Sequence, residues 1–473
     1  MTNNRIFVQA TTLKTALQTG VMLLSWALLL SSASAGPIDT LLPGEWYMFP
    51  GSNMSAVDPC PARNCNYTGA EGQAAVMNDW AGGAYDTTRD RLMVWGGGHG
   101  GYGGNEAYAF SLATGTWTRL TEPSSPVTTC TDFYPDGRPA STHSYNFLQY
   151  LPSLDAFVTF SAGQFCPAGG AGALGAVALI LTSNTWSIRA PYPPVGSHIG
   201  AITAYDPSTG HVWMKATGYS PNYDAATTLY RYDPINNNWT AGDGGNSDLA
   251  FDYGLTAAID HTRRKMVAVG GGKIVVWDIS NPLNVTRQNV TSTGATSILN
   301  ANDPGFVYDP VSDRFVAWSG GTAVYTLNPA TWVWTQVNAA STNTVAVSSL
   351  TANERGTYGR FRYIPSKNAF IVVNHTTENV FVYKLTSAVS PAPSVLLASN
   401  VASVAYGASA TLNWSSTNSK SCAASGAWSG TKAINGSQTL SALSASATYT
   451  LACSGANGSA SQSVAISVTG VPQ

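Results

Sequence analysis

One motif recurs six times along this 473-residue chain and constrains its fold more than any other feature. The copies are YDTTRDRLMVWGGG from Tyr85, YLPSLDAFVTFSAG from Tyr150, YDPSTGHVWMKATG from Tyr205, IDHTRRKMVAVGGG from Ile259, YDPVSDRFVAWSGG from Tyr308 and YIPSKNAFIVVNHT from Tyr363. Each reads as the end of a short strand, a tight reversal, and an apolar strand that closes on small residues. Asp-Pro and Pro-Ser pairs set φ for the reversal. The anchors Tyr85, Tyr150, Tyr205, Ile259, Tyr308 and Tyr363 recur at roughly 50 to 65 residues, a spacing that calls for a repeated supersecondary unit.

Each copy continues into an alternating third strand and a tryptophan-bearing fourth. Ala107-Tyr108-Ala109-Phe110 precedes Thr116-Trp117-Thr118; Leu229-Tyr230-Arg231-Tyr232 precedes Asn238-Trp239-Thr240; Val324-Tyr325-Thr326-Leu327 precedes Val333-Trp334-Thr335. Four antiparallel strands per repeat make one blade of a β-propeller. The last copy supplies three strands, and Glu45-Trp46-Tyr47-Met48-Phe49 resembles the missing one, so the N-terminal segment is expected to close the ring. Six blades are counted, with 51–80 the only room for a seventh. The di-glycine after the second strand, the turn tyrosine and the fourth-strand tryptophan resemble the kelch and galactose oxidase-like propellers. That resemblance covers roughly residues 40 to 387; it implies a fold and says little about activity.

The flanks differ. Arg5 and Lys14 precede the apolar run Val21–Leu30 and the small residues through Ala35, the pattern of a signal peptide spanning 1–35. Its hydrophobic run is about half of the roughly 20 residues a membrane span needs. The propeller is assigned to 36–387, a Pro/Ser/Ala linker to 388–395, and a small β-sandwich to 396–473. The last resembles the bacterial immunoglobulin-like modules attached to exported proteins. The six cysteines fall as Cys60 and Cys65, Cys130 and Cys166, Cys422 and Cys453, and are expected as disulfides in an oxidising compartment. A net charge of −2 with 10% charged residues argues against nucleic acid and anionic membranes as partners. A monomer is expected.

Propeller topology sorts the polar residues by face. The start of each first strand and the loop after each second strand share one face, and the turn between them lies on the other. His99, His143 and His198 fall on the first face; His211 and His261 fall in turns, as bystanders. Asn78, Trp80, Tyr102, Asn105, Tyr253, Asp303, Tyr358 and Arg360 join the first face, with His375 near its rim. The glycine-rich insertion around His99 is peculiar to the first copy. Histidine, tyrosine and arginine together are the residue types with which some propeller lyases cleave uronate-containing glycans by β-elimination. There a base abstracts the proton α to a carboxylate that a cation neutralises. On that reading His143 or His198 is the base, Tyr253 or Tyr358 the acid and Arg360 the carboxylate partner, with His99 over the channel mouth. Trp80 and Tyr102 would stack on sugar rings beside Asn78 and Asn105. A non-catalytic glycan- or protein-binding role is the alternative. Copper-radical oxidation, which the galactose oxidase resemblance brings with it, is disfavoured because no tyrosine–histidine pairing or uncommitted cysteine is evident. The residues do not identify a cofactor; the three histidines of the first face could ligate a metal, which no HExxH-type spacing supports.

Overall fold

A computed structural model of the chain describes residues 36–98, 100–125, 131–160, 176–193, 200–215, 228–242, 254–301, 303–347, 356–386, 393–455 and 458–470. The segment 1–35, His99, Cys130, Cys166, His198 and Tyr253 lie outside the described residues.

The protein is built from small, mostly antiparallel sheets. The first comprises Gly83–Asp86, Arg91–Val94, Tyr108–Ser111 and Thr116–Arg119, paired in that order. The second runs Leu148–Leu151, Ala156–Thr159, Val177–Ile180 and Thr185–Ile188. The third runs Ile202–Asp206, His211–Lys215, Leu229–Asp233 and Asn238–Ala241. The fourth runs Thr256–Asp260, Lys265–Gly270, Lys273–Asp278 and Thr286–Asn289. Gly305–Asp309, Arg314–Trp318, Val324–Leu327 and Val333–Val337 form the fifth. Phe361–Ile364, Ala369–Val372 and Phe381–Tyr383 supply three strands of the sixth. Its fourth is Trp46–Met48, antiparallel to Phe381–Tyr383 with Trp46 opposite Tyr383, as the sequence predicts.

The first strands of successive sheets contact one another in turn, and that of the sixth contacts that of the first. Six apolar clusters fill the six sheet-to-sheet interfaces. The first-to-second interface packs Trp95 and Met93 on Phe157 and Leu179, and the sixth-to-first packs Ile371 and Val382 on Leu92 and Phe110. First strands such as Thr256–Asp260 and Gly305–Asp309 are buried throughout, whereas outer strands such as Thr116–Arg119 bury only the tryptophan side. Apolar runs inside and alternation outside follow directly from that placement.

The sequence does not reveal a two-residue strand, Thr293–Gly294, which adds in parallel to Val333–Val337. Gly294 has φ +86°, and a Cβ there would meet the Trp334 carbonyl oxygen at 2.2 Å, so only glycine fits the approach.

The turns after the first strands are polar clasps. Asp86, Asp206, Asp260 and Asp309 are fully buried and accept bonds from amides two or three residues on, for example Thr88 and Arg89 on Asp86. Four anchor tyrosines donate across the turn to the residue five positions on: Tyr85 to Asp90 (3.1 Å), Tyr150 to Asp155 (3.0 Å), Tyr308 to Asp313 (2.6 Å) and Tyr363 to Asn368 (3.0 Å). Each of those acceptors has a positive φ, a conformation that Asp and Asn tolerate better than most residues. Arginines then join sheet to sheet: Arg89 to Asp155, Arg264 to Asp206 and Arg263 to Asp313, each through both guanidinium Nη atoms.

Beyond residue 393 two sheets share a separate core. One joins Ser394–Ser399, Ala410–Thr417 and Asn435–Leu440; the other joins Ser403–Ala405, Gly458–Thr469, Ala447–Gly455, Ser421–Gly426 and Gly430–Lys432. Ser394 and Val395, assigned to the linker from sequence, open the first strand. Leu412 and Trp414 pack with Trp428, Tyr449 and Leu451. The Cys422–Cys453 disulfide links directly opposed residues of neighbouring strands within one sheet. Cys60–Cys65 is likewise bonded.

Candidate functional site

The ring of first strands has two ends. At the loop end, five of the six strands begin with a sharp bend five residues before the anchor. Trp80, Tyr145, Gly200, Asp303 and Tyr358 have φ of 44°, 38°, 69°, 50° and 47°. Left-handed backbone at bulky residues costs on the order of 1–3 kcal/mol each and persists only where the surroundings enforce it. Neighbouring bends enforce it here. The Tyr145 amide donates to the Trp80 carbonyl (2.6 Å), that of Asp303 to Gly254 (3.1 Å) and that of Tyr358 to Asp303 (3.1 Å). A Cβ on Gly82 would sit 2.1 Å from the Tyr145 carbonyl oxygen, so backbone itself fills the space between the first, second and sixth sheets.

Several of the residues expected at a catalytic centre converge here, but they are committed to one another. The His143 ring, 8% exposed, lies 4.8 Å from that of Trp80, and its Nδ1 is 3.4 Å from the Tyr145 hydroxyl. Tyr145 meets Tyr358 edge-on at 6.0 Å. The Tyr358 phenol lies beside the Asp303 carboxyl; burial pushes the titration of both groups well up. Trp80 and Asn78 are half-buried, and Asn78 Oδ1 has no hydrogen-bond donor among the described residues.

The carboxylate-binding role expected of Arg360 is corrected by its surroundings. It is fully buried and donates to the carbonyls of Val373 (3.1 Å), Gly356 (2.7 Å) and Ala81 and to Asn374 Oδ1 (3.3 Å). Burial lowers its pKa to about 9. It is a strut between the first and sixth sheets. Tyr358 is 1% exposed and cannot deliver a proton to a polymer in solvent. Tyr102 and Asn105 are corrected too. Tyr102 donates to Glu106 Oε1 at 2.5 Å, and Glu106, which Tyr108 also contacts, is buried with a raised pKa. Asn105 ties Ser124 to the Pro139 carbonyl. Neither presents a face to a ligand. His375 bonds Thr377 at 2.8 Å.

Among the described residues, a cavity lies at the other end. It has a volume of about 500 Å³, within the range of small-molecule sites. All six anchors line it, with Thr87, Pro152, Pro207, Ser208, His261, Pro310 and Pro365 from the turns around its mouth. His261, expected to be a bystander, is part of the wall and packs edge-on against Tyr308 at 5.3 Å. His211 is indeed elsewhere, 3.6 Å from Asp233.

Two side chains on the first strands bring polarity into this cavity, Gln149 and Arg362. Gln149 Nε2 donates to Thr203 Oγ1 at 3.0 Å. Arg362 spans three first strands: Nε donates to the carbonyls of Gly359 (2.9 Å) and Gly83 (3.1 Å), and Nη2 to those of Gly83 (2.7 Å) and Leu148 (3.0 Å). Burial lowers its pKa to about 10, so it stays cationic at neutral pH. Sequence reasoning missed it, although a signal exists. The position just before the anchor reads Ala84, Gln149, Ala204, Ala258, Val307 and Arg362, so only two copies break a small or apolar series. Among the described residues no three His, Cys, Asp or Glu side chains form a metal-binding group.

No protein-family profile matches the chain, and no curated protein matches it. Among solved structures it is similar to the extracellular domain of the one-component system BT4673 from B. thetaiotaomicron. The TM-score is 0.36 at 10% identity, covering 81% of this chain and 50% of that one. A second structure, of the extracellular domain of the hybrid two-component system BT4673, gives 0.35 at 11% identity, covering 82% and 50%. The chain therefore spans about half the length of the structures it matches.

Proposed function

We propose that the chain is an exported, kelch-like six-bladed β-propeller followed by an immunoglobulin-like β-sandwich, and that the propeller binds a saccharide or glycan end in its channel without cleaving it. The observation that carries this reading is the cavity of about 500 Å³ rimmed by five anchor tyrosines at the turn end. Aromatic faces and a few convergent polar groups in a preformed hollow are the composition of a small-ligand site. The cyclic contacts of the first strands and the six interface clusters support six blades. Export rests on the pattern of residues 1–35 and on the disulfides Cys60–Cys65 and Cys422–Cys453; among the described residues no helix is long and apolar enough to cross a membrane. Binding is favoured over β-elimination because Arg360, the cation that reaction would use, and Tyr358, one of its two candidate acids, are buried and engaged; the other candidate, Tyr253, lies outside the described residues.

Calorimetric titration of the full chain with a panel of mono- and oligosaccharides tests the reading. Ser208 is exposed at the cavity mouth. Ser208→Trp should therefore weaken binding by roughly tenfold or more while leaving the melting temperature within about 2 °C, because exposed substitutions rarely exceed about 0.5 kcal/mol. Binding that survives Ser208→Trp unchanged would remove the channel from the account. Ultraviolet-absorbing unsaturated ends released from alginate, ulvan, pectin or glucuronan would restore the lyase.

A further inference from the structure

We propose that the channel cavity selects acids: Arg362 holds the carboxylate of a small ring-bearing ligand, a hexuronate or an aryl carboxylate, against the first strands. This rests on the reading of the cavity as the ligand site and adds the chemical class of the ligand.

The first argument is charge. Among the described residues no Asp or Glu lines the cavity, and Arg362 is the one permanently charged side chain in its wall. Among the described residues Arg362 makes no ion pair, unlike Arg89, Arg263 and Arg264, whose guanidinium groups each meet an aspartate. A half-buried cation balanced only by carbonyl dipoles leaves a positive potential in a low-dielectric hollow, which an anion completes.

The second argument is direction. The carbonyls of Gly83, Gly359 and Leu148 occupy Nε and Nη2 and hold the planar group in one orientation. No described residue accepts from Nη1, which carries two further hydrogens. A fixed guanidinium with an unused edge loses little entropy when it binds a carboxylate. If Arg362 served only to tie three strands together, Nε and Nη2 would be enough, and that role predicts no preference between acids and neutral molecules.

The third argument is the rest of the wall. Tyrosine and proline side chains with Ala204, Ala258 and Phe306 offer apolar area to the body of a ligand and few hydrogen bonds. A compact ring with one anionic substituent matches that division; a multiply charged or long chain does not.

The experiment is a titration of the intact protein with glucuronate against methyl glucoside, and with benzoate against benzyl alcohol. The acid of at least one pair should bind roughly 10- to 100-fold tighter than its neutral analogue, the worth of a charge-assisted hydrogen bond. The pair that shows the gap identifies the ligand as sugar or aryl acid. Arg362→Gln should erase the gap while sparing the neutral ligand. Should that variant fail to fold, the acid-to-neutral ratio in the wild-type protein decides alone. Equal affinity for acid and neutral members, abolished by Ser208→Trp, overturns acid selection and leaves channel binding standing. Binding of neither pair, or binding indifferent to Ser208→Trp, overturns both.

Discussion

Arginines two positions apart do different work here. Arg360 ends a short 3-10 turn, Tyr358–Arg360, and is swallowed by carbonyls between sheets; Arg362 sits on the first strand and reaches the channel. Their spacing places them on one side of an ideal strand, so alternation does not tell them apart; only the series of residues before the anchors singles out Arg362. A third use, the turn-end pair, invites a direct test. Arg263 bridges Asp313 and the buried Asp260, and Arg263→Ala should cost about 1–2 kcal/mol in urea unfolding, more than an exposed pair because the buried Asp260 loses its cation and keeps only backbone amides. Bonds from Arg263 and Lys265 hold Asp313 and Asp278 down to about 2. A carboxylate lowered in the fold contributes stability that is present above its unfolded pKa and lost as pH falls through the folded one. The stability these two groups add should therefore disappear between about pH 4 and pH 2, and Asp313→Asn should flatten that part of an acid-unfolding curve. Asp303 has the opposite sign. Burial raises it, so its contribution is greatest when protonated and declines as pH rises above the ordinary carboxylate range. Asp303→Asn should lose less melting temperature than the wild type between pH 5 and pH 8.

At the scale of the element, the strand Trp46–Met48 matters out of proportion to its length. Trp46 is 2% exposed, packs on Tyr383 at 4.8 Å, and donates from its indole to the Thr322 carbonyl, between the second and third strands of the fifth sheet, at 3.0 Å. Trp46→Ala should cost roughly 3–5 kcal/mol by chemical denaturation, the range for emptying a buried tryptophan site. It also exposes Phe381–Tyr383 as an unprotected edge, so aggregation on warming should increase. This strand was legible because its tryptophan supplies what the sixth repeat lacks. Thr293–Gly294 was not, since two residues carry no periodicity and their pairing is set by where the Trp334 backbone lies.

For the whole molecule, the ring and the C-terminal sandwich hold separate cores. The cluster around Leu412, Trp428 and Leu451 shares no residue with the six interface clusters. Two calorimetric transitions are expected. Replacing Cys422 and Cys453 by alanine, which opens a 31-residue loop, should lower one of them by about 3–4 kcal/mol and leave the other in place. A shift of both transitions would show that the two cores are coupled.

Six anchors, their turns and the displaced closing strand are local patterns, and each appears in the sequence because propensity and alternation act over a few residues. The assignment of residues to faces was also available, since a strand that runs out and back fixes which loops share an end. The cavity among the anchors and their turns was decided only by the tertiary structure. Among the described residues of the loop end, the bend at Tyr145 bonds to that at Trp80 and the bend at Tyr358 to that at Asp303, a consequence of neighbouring sheets meeting at close range. At the turn end, the anchors and the turn prolines Pro152, Pro207, Pro310 and Pro365 line the cavity. His143 and Arg360, both expected at the strand entries, are buried there, His143 against Trp80 and Tyr145 and Arg360 among carbonyls. Arg362, on which the proposed ligand chemistry depends, acquires its place only when strands from three sheets present their carbonyls to it.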